Sequence, residues 1–249
     1  MKYLVIATTL MTCLICRSVW AASDLQITEL WAGGLSGAEA TSDWFELTNY
    51  GDSAATGLDG NLYWDDDSFD PTKNDPLLGI DTIAPGESVI YVVSFETSLP
   101  DPPVTPADAI ADFVAMWGAP NGNLSGVQIG YVDGGSGLGG GGDVAVVFDG
   151  NAPDSVPIDF AAYSVTTQVE SLVSAADGTW DGSTFAQNGV LGAYTGNFNA
   201  TDDALSTPPI GSPGVVAGVP EPSGIVLTIL ASLVLVTRRV PQRSRKGDM

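Results

Sequence analysis

The chain has 249 residues, room for one large all-β domain plus targeting segments. It carries 30 acidic residues against 8 basic ones, no histidine, and cysteine only at positions 13 and 16. That inventory excludes histidine-assisted nucleophiles, and its charge argues against nucleic acid or anionic lipid, whose phosphates it would repel.

Lys2 precedes an apolar run from Tyr3 to Met11 that continues unevenly to Ala22. Val19 and Ala21 sit at the −3 and −1 positions of a cleavage site, so residues 1–21 read as a secretory signal peptide. Both cysteines lie inside it, leaving an exported body without disulfides, thiolate metal sites or a cysteine nucleophile. Lys2 and Arg17 belong to this segment, and Arg238, Arg239, Arg243, Arg245 and Lys246 crowd the other end. Between Ala22 and Val219, 28 acidic residues face one lysine, Lys73.

The body alternates short apolar runs with Gly, Pro, Asn and Asp, the pattern of an all-β fold. Leu25 to Trp31 alternates at period two. Asp43 to Asn49 does so too, with Phe45 and Leu47 on one face and Trp44, Glu46 and Thr48 on the other. Asn49-Tyr50-Gly51-Asp52 supplies a turn. Leu62 to Trp64 is a short strand entering an acidic loop. Pro85-Gly86 suits a type II turn before a buried strand from Ser88 to Val93. Val127–Val132, Asp143–Phe148 and Ile158–Val165 complete at least seven strands, with a hairpin turn at Asp149-Gly150-Asn151. Thr105-Pro106-Ala107-Asp108 opens a helix, with Asp where a capping box carries Glu or Gln. Ile110, Phe113, Val114 and Trp117 mark its expected buried face, Gly118 and Pro120 its end, and its expected place is as a plug at one end of the fold. Residues 134–142 are glycine-rich and read as a flexible loop, while 170–199 are poorly patterned.

Beyond a linker at 215–219 come Pro220-Glu221-Pro222, an apolar run of 14 residues from Gly224 to Thr237, and Arg238-Arg239. As a helix that run reaches roughly 21 Å, thin against a hydrocarbon core of about 30 Å. The basic residues after it would stay cytoplasmic, leaving the acidic body outside. These three parts, spanning 220–246, resemble the PEP-CTERM sorting signal of Gram-negative bacteria. The resemblance implies recognition and clipping by an exosortase near Pro-Glu-Pro, transient inner-membrane anchoring through the apolar helix, and delivery to the cell surface or an extracellular polysaccharide matrix.

Residues 22–214 resemble a lamin-tail domain, an immunoglobulin-like β-sandwich with one short helix. The resemblance rests on Ile27-Thr28-Glu29, on Asp43-Trp44-Phe45-Glu46-Leu47-Thr48-Asn49, and on Ile83-Ala84-Pro85-Gly86. It continues through Phe113 to Gly118, Gly142-Asp143-Val144-Ala145-Val146 and Ser212-Pro213-Gly214.

Chemistry is sparse. Asp65, Asp66, Asp67 and Asp70 form the best candidate metal loop, with calcium as the ligand its oxygens would suit. Their spacing is not that of an EF-hand, and a solvated acidic loop is the competing reading. Trp31, Trp44, Tyr63, Trp64 and Trp180 could stack on sugar rings, although strand positions favour core packing. The expectation is a non-enzymatic structural or adhesion protein of the cell surface, with exosortase, extracellular polysaccharide or other surface proteins as partners. A carbohydrate-binding module is the alternative, and a hydrolase with two acidic residues comes third.

Overall fold

The computed structural model describes residues 23–32, 43–93, 105–132, 137–167, 169–175, 178–197 and 207–215. The expected signal segment with Ala21, and the expected sorting segment with Pro220, Glu221, Pro222, the 224–237 run, Arg238 and Arg239, lie outside the described residues. Among the described residues no helix is long and apolar enough to cross a membrane.

Thirteen strands and one helix are described: β1 (Leu25–Trp31), β2 (Trp44–Asn49), β3 (Ala55–Thr56), β4 (Tyr63–Asp65), β5 (Asp75–Leu78), β6 (Thr82–Ile83) and β7 (Ser88–Val92), then α1 (Pro106–Trp117), then β8 (Ile129–Val132), β9 (Asp143–Phe148), β10 (Pro157–Tyr163), β11 (Leu172–Val173), β12 (Tyr194–Thr195) and β13 (Ile210–Gly211). All seven strands expected from alternation form. Nine strands make one sheet in the order β10-β9-β4-β5-β8-β7-β2-β1-β11. Its pairs are antiparallel except β7 with β8.

The sheet curls until β10 meets β1, where the Ile27 amide donates to Asp159 Oδ2 at 2.7 Å. The curl encloses the main core, which takes Ile27 and Leu30 from β1, Phe45 and Leu47 from β2, Tyr91 from β7, Trp64 from β4 and Val147 from β9. Turn chemistry holds as read. Gly86 has φ +73°, the left-handed value a type II turn demands at that position, and the Glu87 amide donates to the Ala84 carbonyl at 3.0 Å.

Strict alternation in β1 does not hold. Ile27 stands opposite Leu47 and Glu29 opposite Glu46, so Thr28 is an extra residue, a β-bulge. The bulge turns Leu30 to the main core beside Leu25 and Ile27, and sends Trp31 to the other face beside Trp44. In β2 the two expected faces are as read, yet neither meets solvent, because all six residues are buried.

α1 explains one half of that second burial. Thr105 and Asp108 complete a capping box, with Asp108 Oδ2 accepting from the Thr105 amide at 2.9 Å. The buried face is Ala109, Phe113, Met116 and Trp117, rotated from the expected one: Val114 is 42% exposed and Ile110 only half-buried. The helix also covers a face and does not plug an end. Phe113 and Trp117 pack edge-to-face on Trp44, at 5.7 and 5.5 Å between centroids, over Ile90 and Val92. The reason lies in β7, where Ile90 and Val92 on one side and Val89 and Tyr91 on the other are all apolar and need cover.

The hairpin between β9 and β10 forms across a wider loop than the Asp149-Gly150-Asn151 turn expected. The Asp149 amide donates to the Val156 carbonyl at 3.2 Å, and the Val156 amide returns to Asp149 Oδ1 at 2.9 Å. Within the glycine-rich stretch, residues 137–142 are anchored. Leu138 is buried in the core, and its amide donates to Asp43 Oδ2 at 2.8 Å.

Candidate functional site

The bulge that redirects Leu30 also brings acidic side chains together. Thr28, Glu29, Glu46 and Thr48 face away from the main core, and Glu29 and Glu46 are direct cross-strand partners. Like charges at directly opposed positions are unfavourable in any sheet. Here both carboxyls are also cut off from water, each residue being 1% exposed.

What covers them is the 207–215 segment. Glu29 Oε1 accepts from Ser171 Oγ at 2.5 Å and from the Ser212 amide at 2.7 Å, while Oε2 accepts from Ser212 Oγ at 2.8 Å. Glu46 Oε1 accepts from Thr28 Oγ1 at 2.6 Å and Oε2 from the Gly214 amide at 2.7 Å. A hydroxyl chain runs on from Thr28 to Thr48 at 2.8 Å and from Thr48 to Ser88 at 2.6 Å. Gly214 has φ +79°, and a Cβ there would come within 2.6 Å of Val127. At Gly211 a Cβ would lie 2.9 Å from the Trp117 ring and 3.0 Å from Glu29 Oε1. The segment therefore lies flat on the sheet because these two positions carry no side chain.

Burial pushes the Glu29 carboxyl up from 4.5 to about 7, against the lowering by its hydrogen bonds. Glu46 rises to about 8, through burial first and the Glu29 charge second. Tyr194 is raised by burial and then by both carboxylates, and Tyr50 by burial, Glu46 and Asp24. Lys73, the one basic residue among those described, is elsewhere, 3.5 Å from Asp70. Chemically, the arrangement is a buried pair of carboxyls whose oxygens hold the 207–215 segment through Ser212 and Gly214.

Three stretches singled out in the sequence meet here. Ile27-Thr28-Glu29 and Asp43 to Asn49 supply the carboxyls, and Ser212-Pro213-Gly214 supplies the donors. Asn49 works beside them: its Nδ2 donates to the Ser53 and Ile83 carbonyls, both at 2.9 Å. Sequence reasoning did not single out Glu29 and Glu46 as a pair, because alternation separates them from a common environment until the bulge is known.

The acidic loop is organised by its own hydrogen bonds. Asp65 is buried, and its carboxylate accepts from Ser68 Oγ at 2.9 and 3.0 Å and from the Phe69 amide at 2.7 Å, so it organises its own turn. Asp70 likewise accepts from the Thr72 amide and hydroxyl at 3.0 and 2.6 Å. Asp66 is half-buried and Asp67 exposed. No three acidic side chains among the described residues converge as a metal cage. The expected grouping of Asp65, Asp66, Asp67 and Asp70 around calcium is not assembled.

Of the aromatic candidates, Trp31, Trp44 and Trp64 are fully buried, which removes them from any sugar-stacking surface. Trp180 is half-buried and donates from Nε1 to the Ala162 carbonyl at 2.9 Å. The exposed rings are others. Phe69, at φ +51°, and Phe160 are 46% and 52% exposed, with centroids 5.6 Å apart at 71°. They stand on the outer face of β10-β9-β4, where Tyr63, Val146 and Phe148 form a third apolar cluster.

The chain matches no protein-family model, no curated protein and no solved structure.

Proposed function

We propose that this is an exported, non-enzymatic structural or adhesion protein of the cell surface or extracellular matrix, sorted by an exosortase. The observation that carries the reading is the ordered trio Pro220-Glu221-Pro222, apolar 224–237 and Arg238-Arg239. In this reading the body is a lamin-tail-like, immunoglobulin-like sandwich. Support comes from the way its three most distinctive stretches meet in one buried polar network. The most suggestive acid pair, Glu29 and Glu46, is occupied with holding backbone, which favours this reading over an acid-pair hydrolase. In a host carrying an exosortase, the mature protein is expected to lack everything beyond the Pro220–Pro222 region by intact-mass measurement. Replacing Pro220, Glu221 and Pro222 with alanine should leave the chain unclipped. A mature protein that retains Arg238 and Arg239 would overturn the sorting assignment.

A second reading, carbohydrate binding, is favoured by Phe69 and Phe160. A bulky residue in the left-handed region is strained, and here the strained residue displays its ring beside another exposed ring. Exposed ring faces stack on the CH faces of sugars. The double substitution Phe69→Ala/Phe160→Ala is expected to cut retention on the producer's purified polysaccharide several-fold while leaving the melting temperature within a few degrees. Equal retention of variant and parent would remove this reading.

A further inference from the structure

We propose that Glu29 and Glu46 form a proton-operated clasp on the 207–215 segment: it is held while at least one carboxyl keeps its proton and freed when both are ionised. The geometry gives both states a physical basis. In the closed state, Ser212 and Gly214 donate three hydrogen bonds to the pair through two amides and one hydroxyl. When one of the two carboxyls has lost its proton, the single negative charge is met by these donors and by Ser171 and Thr28. With two charges the same donors face a like-charged pair buried from solvent, with no basic side chain beside it among the described residues, and separation exposes both to solvent.

The groups that face the pair leave it alone in this role. Tyr194 from β12 and Tyr50 beyond β2 are phenols held above their ordinary value by burial, and they stay neutral while the carboxyls titrate. Asp24, ahead of β1, acts on Tyr50. From β7 the neighbour is the Ser88 hydroxyl, ahead of β11 it is Ser171, and from α1 it is the uncharged Trp117 against Gly211. The clasped segment itself offers only Ser212, Pro213 and Gly214, so the two glutamates are the switch.

Freeing the segment would uncover the polar face of β1 and β2 and open the neighbouring cavity of about 120 Å³, which Ser212 lines together with Val173, Ser174 and Phe185. Where the chain continues into the sorting segment proposed above, the release also lengthens the tether by up to about 30 Å for these residues. That consequence rests on the sorting assignment; the clasp does not.

The test is hydrogen exchange of the full-length protein at pH 6 and pH 9, corrected for intrinsic rates, with β7 as internal reference. Peptides covering 207–215 are expected to lose at least tenfold more protection than β7 at the higher pH. Glu46→Gln, which can never carry the second charge, should abolish that difference. Parallel loss in both regions, or a difference between 207–215 and β7 that survives Glu46→Gln, would overturn the clasp. Infrared difference spectra of the unmodified protein supply a second check that needs no variant. A protonated carboxyl band shielded from exchange should be present at pH 6 and lost by pH 9, and its absence at pH 6 would also overturn the proposal. Neither readout involves an exosortase, so a failed clasp and a failed sorting assignment are told apart.

Discussion

Raising the pH from 6 to 9 is expected to lower the unfolding free energy by roughly 4 kcal/mol, from the linkage of two raised carboxyls. The sign follows from proton counts. In the unfolded chain both glutamates titrate near 4.5, whereas in the folded protein the pair gives up its protons in steps near 7 and 8. Between these limits the folded state binds more protons than the unfolded one. The contribution is therefore fully present below 4.5 and is lost as pH climbs through the folded values. Glu46→Gln should remove about two-thirds of the slope, and Glu29→Gln/Glu46→Gln nearly all of it, with the amides keeping most of the acceptor geometry. Urea titrations across this pH range measure it directly. A stability curve that is flat or rising over pH 6–9 would show that the pair is solvated after all.

Trp44→Ala is expected to be the most damaging single change, costing roughly 3–5 kcal/mol by the usual scale for buried aromatics. Trp44 is fully buried and lies under both Phe113 and Trp117, so its removal empties the contact that attaches α1 to the sheet. Loss should show in chemical denaturation and as a weakened near-ultraviolet dichroism signal, since three indoles adjoin there: Trp117 also meets Trp31 at 6.0 Å. Trp44→Phe should recover part of the loss, because edge-to-face packing survives with a smaller ring. A cost under 1 kcal/mol for the alanine variant would mean that α1 is held by other contacts.

Some of the protein was legible residue by residue. The seven main strands, the type II turn at Pro85-Gly86 and the Thr105–Asp108 cap were readable because each depends on local backbone preference over a few positions. The polarity of β2 was also plain, with Phe45 and Leu47 opposed to Glu46 and Thr48. What covers each face was not, since alternation tells which residues share a side and nothing of the partner. Trp44 therefore looked available to a ligand until α1 was seen upon it, and the short strands β11, β12 and β13 are fixed by pairing more than by their own two residues.

The sequence by itself determined the export and sorting expectations, the extreme acidity and the local elements, all properties of composition or of short stretches. Only the tertiary structure decided where the acid goes. One extra residue at Thr28 shifts the register of β1, sets Glu29 opposite Glu46, and makes Ser212 and Gly214 their donors from 183 and 168 positions away. It also showed that Asp65 is occupied by its own turn, while the exposed rings among the described residues are Phe69 and Phe160. Long-range register and burial create these environments, and no local pattern encodes them, because a carboxylate's behaviour depends on which distant donors and charges the fold brings to it.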